Sequence, residues 1–242
     1  MSELDSYLSQ LKNKKEETEE RSQKHLIKIK GSLNNLEKIG GRILSLSKKC
    51  TNSAVNGHII EAEDPLKDAG KLVDEFNRNL SEIRTRLATI LKRHRVTTNE
   101  LQNLYSKIKA LEDDFSRGKE EFWEAKITYL YFKDAKKIFH PRKSSDCDFE
   151  IYAGALADFC GELLRRARAD VFNSAKSTDN IKIYYRDTKN IYNALSSFSF
   201  SNSSGVRNKM EHVKGYIAEF ERILYELKIY DLRRNNNHTE KA

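Results

Sequence analysis

The sequence predicts an all-α fold, a single-domain bundle of about six to seven helices. Its 242 residues include only 2 Pro and 10 Gly, so little interrupts helices and few turn signals are available for a strand-rich fold. Apolar residues recur every three or four positions, as on a helix with one buried face. We expect one helical domain over residues 1–235 and a polar, disordered tail over residues 236–242.

The first half of the chain is predicted to form long helices. A helix is predicted over roughly residues 3–50, with apolar residues at helical spacing from Leu26 onward. The segment TNSAVNGHIIEAE that follows is predicted to be a loop. Asp64 followed by Pro65 predicts the start of the next helix, with an N-cap residue and then proline at the first helical position. That helix carries an unbroken apolar stripe: Leu66, Ala69, Val73, Phe76, Leu80, Ile83, Leu87 and Ile90.

The second half is predicted to contain shorter helices with clear ends. A capping box at residues 97–100 marks either a new helix or a bend. The aromatic segment GKEEFWEAKITYLYF continues a helix to about Phe139, before Pro141. Asp148 then caps a helix that reaches about Asp170, and two further helices are predicted, over about residues 179–198 and from Val206 onward.

Composition excludes several classes of protein. No stretch approaches the roughly 18 apolar residues of a membrane span, and the first residues lack the apolar core of a signal peptide, so we expect a soluble intracellular protein. The three cysteines are odd in number and widely spaced, which is typical of reduced structural thiols. The sequence contains no Gly-rich phosphate loop, GxSxG or HExxH motif.

The net charge of +8 favours a polyanionic partner, because excess positive charge attracts and steers such molecules. Lysine-rich helix surfaces are common in proteins without such a partner. Charge by itself therefore leaves both interpretations open.

Two pairs of acidic residues lie at helical spacing on consecutive helices. Glu121 and Glu124 are three residues apart, and Asp158 and Glu162 are four apart, so each pair shares one helix face. Small residues beside both pairs would let the two helices approach closely. Four carboxylates brought together repel one another unless they are protonated or share a cation. Their hard oxygen atoms suit Mg²⁺ or Mn²⁺, which can activate water for phosphodiester hydrolysis.

A simpler interpretation is that these acids form surface ion pairs. Glu121 and Glu124 would pair with Arg117 or Lys119, and the second acidic pair would be neutralised by Arg165 and Arg166. On spacing alone this alternative stays open.

The same residues resemble the translin superfamily, and within it the branch of translin-associated factor X (TRAX). The pattern E-[FY]-x-E-A reads here Glu121-Phe122-Trp123-Glu124-Ala125. Residues Asp148 to Arg165 contain the pattern G-x-L-A-D-x(2)-G-E-L-x-R on the next helix. The aromatic helix around residues 184–198 and the closing helix also resemble the superfamily. Because translin itself lacks the glutamate pair, the similarity to TRAX rests on Glu121 and Glu124.

This resemblance implies a translin-like subunit that assembles with translin into a hollow hetero-oligomer. It implies a Mg²⁺-dependent (or Mn²⁺-dependent) endoribonuclease that cleaves single-stranded RNA, with Glu121, Glu124, Asp158 and Glu162 as the catalytic residues. In this interpretation Glu124 and Glu162 bind the metal ion directly, while the other two complete the site or orient the attacking water. Cytoplasmic and nuclear locations follow from the same resemblance.

Arg165, Arg93 and Arg95 are the candidate contacts to nucleic acid, and Arg165 matches the family arginine. The basic segment with which translin grips nucleic acid corresponds here to ALEDD at residues 110–114, so we expect RNA binding to depend on the partner. Tyrosines such as Tyr129, Tyr131 and Tyr184 could stack on bases, although at helical spacing aromatic residues more often form the core.

Two other functions remain open at this point. The chain could be a non-catalytic scaffold that stabilises translin on single-stranded RNA or DNA, with its acids in structural ion pairs. It could also be a helical adaptor without a nucleic-acid role, as the heptads from Leu66 to Ile90 allow.

Overall fold

The computed structural model describes residues 3–93, 98–134, 136–138, 147–173, 178–200 and 205–239. Within these residues the chain forms six helices and no strand, which confirms the all-α prediction. The helices are α1 (Glu3–Val55), α2 (Ile59–Arg93), α3 (Thr98–Lys133), α4 (Phe149–Asn173), α5 (Thr178–Ser196) and α6 (Val206–Thr239). None of the described helices combines the length and hydropathy that a membrane crossing requires.

The chain divides into two compact units, and helices α1, α2 and α3 contribute to both. Unit 1 contains residues 1–45 and 68–118, and its core is the apolar stripe of each helix. Phe76 of α2 stacks on Phe115 of α3 with ring centroids 3.7 Å apart. Lys107 of α3 donates a hydrogen bond to the Asn34 side chain of α1. The apolar residues that recur at helical spacing in the sequence therefore form the packing surface of this unit.

Unit 2 contains residues 46–67 and 119–242 and holds the predicted acidic residues. Its main core combines α4, α5 and α6 with the second half of α3, and a smaller cluster joins Cys50 and Ala54 of α1 to Ala62, Ala125 and Tyr129. In the segment at residues 118–132, Trp123, Tyr129 and Tyr131 are buried in these cores, and Tyr184 of α5 is buried as well. These tyrosines are core residues.

The predicted start of α2 at Asp64 is wrong, because the helix begins at Ile59 and Pro65 lies inside it. Ala62, in the segment predicted as a loop, is fully buried in the smaller cluster. Burial of Ala62 and of Pro65 itself offsets the hydrogen bond that proline cannot donate. Helix α1 likewise extends beyond the predicted end to Val55.

The turn between α1 and α2 depends on Gly57, which has a φ of +87° that other residues rarely adopt. Arg166 of α4 donates a hydrogen bond from Nη1 to the carbonyl oxygen of Val55, at 2.7 Å. Its side chain also forms an ion pair with Asp170. Helix α4 is thereby tied to the end of α1.

The remaining helix ends follow the predictions to within a few residues, with two differences. Helix α3 ends at Lys133, and the expected end at Phe139 lies outside the described residues. Helix α6 continues to Thr239, inside the segment predicted as a tail, and residues 240–242 lie outside the described part of the chain. Helix α3 is described from Thr98, and residues 94–97, where the sequence allowed either a new helix or a bend, lie outside the described residues.

Asp148 caps α4 as predicted. Its Oδ1 accepts hydrogen bonds from the backbone N–H groups of Glu150, at 2.9 Å, and Ile151, at 3.4 Å. Asp148→Ala removes this acceptor and should lower the free energy of unfolding by about 1 kcal/mol, the usual cost of a lost N-cap. Urea denaturation followed by circular dichroism measures this loss. Asp148→Asn, which keeps an acceptor oxygen, is the control, and equal losses in both variants would contradict the cap assignment.

Candidate functional site

The candidate site lies on the facing sides of α3 and α4 in unit 2. Trp123, Ile127 and Tyr131 occupy the buried face of α3, and Tyr131 contacts Phe159 of α4 with ring centroids 5.1 Å apart. Glu124 lies three residues before Ile127 and seven before Tyr131, so it shares their buried helix face and its carboxyl group is carried inward with them. The result is a glutamate that is only 9% exposed.

Burial and neighbouring charge both act on Glu124. Burial disfavours its ionised form, and the negative charges of Asp158, Glu162 and Glu121 add to this effect. Together they raise the pKa of Glu124 from an ordinary 4.5 to about 9, so this carboxyl group is protonated at neutral pH. The structure thus brings Asp158, Glu162 and Glu121 within electrostatic reach of Glu124.

Glu162 is the second acid near the centre of this group. Arg165 lies one turn further along α4, and its Nη2 is 2.5 Å from Glu162 Oε2. Burial raises the pKa of Glu162 even though the positive charge of Arg165 opposes the shift. The ion-pair interpretation therefore holds for this residue, whereas Arg166 pairs with Asp170 and not with the acidic group.

Asp158 has partners that the sequence analysis missed. Lys209 of α6 donates hydrogen bonds to Asp158 on α4 and to Glu120 on α3. Burial alone would lower the pKa of Lys209, but the two carboxylates outweigh it and raise that pKa. Burial raises the pKa of Glu120, while Lys209 opposes the rise.

Gly154 provides the space that Glu120 occupies. A Cβ atom at this position would lie 2.5 Å from the Glu120 carboxyl oxygen Oε2, closer than real contacts allow. In the sequence, the glycine one turn before Asp158 was the feature that indicated close packing of another side chain against this part of α4. It could not have identified that side chain as Glu120, because the two residues lie on different helices.

The carboxyl groups offer hard oxygen atoms, the ligand type that Mg²⁺ and Mn²⁺ prefer, and their mutual repulsion would be relieved by a cation. In the described part of the chain, no group of three or more His, Cys, Asp or Glu side chains is arranged as a ready-made metal cage. Mg²⁺ is commonly held by one or two carboxylates, with water and phosphate oxygens completing its shell. The carboxylates present therefore suit such an ion chemically, and one or two of them would bind it directly.

Of the three predicted nucleic-acid contacts, Arg165 has a described side chain. Arg165 is engaged by Glu162 and also donates a hydrogen bond from Nη1 to Asn52, at 2.8 Å. Arg93 is the last residue of α2, in a region whose side chains are not described, and Arg95 lies outside the described residues.

Comparison with protein families matches residues 34–231 to the Translin family. The match covers most of the chain. The chain belongs to the translin family. No curated protein matches it.

Solved structures similar to this translin-family chain share its fold at low sequence identity. The structure of AfC3PO has a TM-score of 0.65 and 18% identity, covering 88% of this chain and 98% of that chain. A complex of AfC3PO with duplex RNA matches with the same TM-score and identity, covering 88% and 97%. Apo-NeC3PO has a TM-score of 0.58 and 18% identity, covering 91% and 96%. This confirms the translin-like fold.

The raised pKa of Glu124 predicts a pH-dependent stability in metal-free buffer. Between pH 4.5 and 9 the folded chain keeps a proton that the unfolded chain has released, so stability falls as pH rises through this window. Glu124→Gln removes the carboxyl group that takes up this proton. Relative to wild type, the variant should gain up to about 1.4 kcal/mol per pH unit across the window.

Urea unfolding in EDTA at several pH values between 5 and 9 measures this difference. Asp113→Asn, which changes an exposed acid on the same helix, is the control and should run parallel to wild type. A constant difference between Glu124→Gln and wild type over the whole range would show that Glu124 is ionised in the folded chain.

Proposed function

We propose that this translin-family chain is a TRAX-like catalytic subunit, which assembles with translin and cleaves single-stranded RNA in a Mg²⁺-dependent endonuclease reaction. The observation that carries the proposal is the burial of Glu124 among Asp158, Glu162 and Glu121. Burying carboxylates side by side is costly, and a cation that they share would offset the cost. The match of Glu121, Glu124, Asp158 and Glu162 to the TRAX pattern supports the same assignment.

The four acids have different surroundings, which suggests different roles. Glu124 and Glu162 are the proposed direct ligands, because they are the predicted acids whose pKa values burial raises. Glu121 and Asp158 would orient the attacking water by accepting its hydrogen bonds. When bound, a divalent cation would supply Lewis acidity toward a phosphate oxygen and lower the pKa of the attacking water.

Binding of the RNA is proposed to involve the partner. One structural relative, AfC3PO, has been solved with duplex RNA, and the excess positive charge of this chain is suited to a polyanion. Arg165 lies beside Glu162 and is the proposed contact to a phosphate near the acids. To make this contact it would exchange its hydrogen bonds to Glu162 and Asn52 for phosphate oxygens.

A second candidate is a non-catalytic subunit that stabilises translin on single-stranded RNA or DNA. The observation that favours it is the neutralisation of the acids by side chains of the same chain, Lys209 on Glu120 and Asp158 and Arg165 on Glu162. Titrating the assembled complex with Mn²⁺ separates the candidates. The catalytic proposal requires stoichiometric binding, and absence of binding would favour the scaffold.

Glu124→Gln and Glu162→Gln test the catalytic proposal. Each replaces a proposed ligand by a neutral side chain of the same size, so cleavage of a single-stranded RNA by the translin complex should fall by more than about 100-fold. Assembly with translin, followed by size-exclusion chromatography, should be unchanged. Asp113→Asn is the matched control on the same helix, and wild-type rates in both glutamate variants would overturn the proposal.

A further inference from the structure

Lys209 is a basic side chain that reaches two acids on two other helices. Most ion pairs of lysine in the described residues join neighbours three or four positions apart on an exposed helix face, as Lys214 does with Glu211 and Lys182 with Asp179. Lys209 instead connects α6 to Glu120 on α3 and Asp158 on α4. Its side chain is only 26% exposed, so solvent screens these contacts less than those of a surface pair.

The two acids that share Lys209 differ in their relation to the candidate site. Asp158 belongs to the predicted group and acts electrostatically on Glu124. Glu120 does not belong to it, and its carboxylate is held against Gly154, where any larger residue would displace it. Glu120 thus gives the ammonium group a second acceptor beside the proposed site.

We infer that Lys209 is a positioning residue that acts as an internal cation, holding Asp158 in place and opposing through its charge a divalent ion held by Glu124 and Glu162. This inference rests on the proposed function and concerns its metal affinity. A lysine ammonium is a compact positive charge, and a divalent ion beside Glu124 would repel it. Glu120 lets Lys209 give up Asp158 and still keep a buried partner. The acidic group is thereby held together before an ion arrives.

Two substitutions should change Mn²⁺ affinity in opposite directions. Lys209→Met removes the competing charge while keeping the length of the side chain, and should tighten Mn²⁺ binding by about tenfold. Glu120→Gln removes the negative charge of the alternative acceptor, so Lys209 stays on Asp158 and Mn²⁺ binding should weaken. In EDTA, Lys209→Met should also unfold at a lower temperature, because Glu120 and Asp158 are left without their cation.

The measurement is isothermal titration of the full chain, alone and assembled with translin, with Mn²⁺ as the probe. Lys214→Met is the matched control, since it removes an exposed lysine of the same helix and should leave the affinity unchanged. Folding of each variant is checked by circular dichroism. If Lys209→Met is unfolded, the direction of the Glu120→Gln effect decides the question.

The inference is overturned if folded Lys209→Met binds Mn²⁺ no more tightly than wild type, or if Glu120→Gln binds as well as wild type. Absence of binding in every variant also overturns it. Failure of the proposed function is a separate result: Mn²⁺ binds with the predicted order of affinities, but the translin complex cleaves no RNA. Mn²⁺ binding to Lys209→Met but not to the wild-type chain would support the competition. It would also contradict metal catalysis by the wild-type chain.

Discussion

The closeness of carboxyl groups on α3 and α4 is the constraint on which the rest of unit 2 depends. Burial raises the pKa of Glu124, and the negative charges of the neighbouring carboxyl groups add to the effect. The chain compensates with Lys209 from α6 and Arg165 from α4 itself. Glu124 has no basic side chain among its described hydrogen-bond partners and is neutralised by a proton instead.

Rigid surroundings keep the acids in this unfavourable arrangement. Tyr131 packs on Phe159 and donates a hydrogen bond to the buried Asp187 of α5, at 2.7 Å, which links α3, α4 and α5. Arg166 ties α4 to the end of α1. Because aromatic packing on the same helix face carries Glu124 inward, core stability and the position of the acid cannot be varied separately. Glu124 therefore lies among the aromatic residues of the segment at residues 118–132.

Membership of the translin family establishes the fold, but chemistry resides in particular side chains and not in the fold. The similar solved structures are 18% identical to this chain in sequence, and their TM-scores of 0.58 and 0.65 show a common fold. The catalytic proposal depends on four acidic residues. The role proposed for Lys209 depends on its two ion pairs. The scaffold alternative would use the same ion pairs for stability alone.

The sequence by itself determined the helices and the faces on which their side chains lie, because a helix places residues three and four apart on one side. It also determined the cap at Asp148, which depends on its immediate neighbours. Only the tertiary structure decided which faces meet. Ala62, in the segment predicted as a loop, is buried against Ala125 and Tyr129 of α3, and Lys209 meets Glu120 across 89 positions of sequence. Such long-range contacts depend on how whole helices pack, which local spacing does not encode.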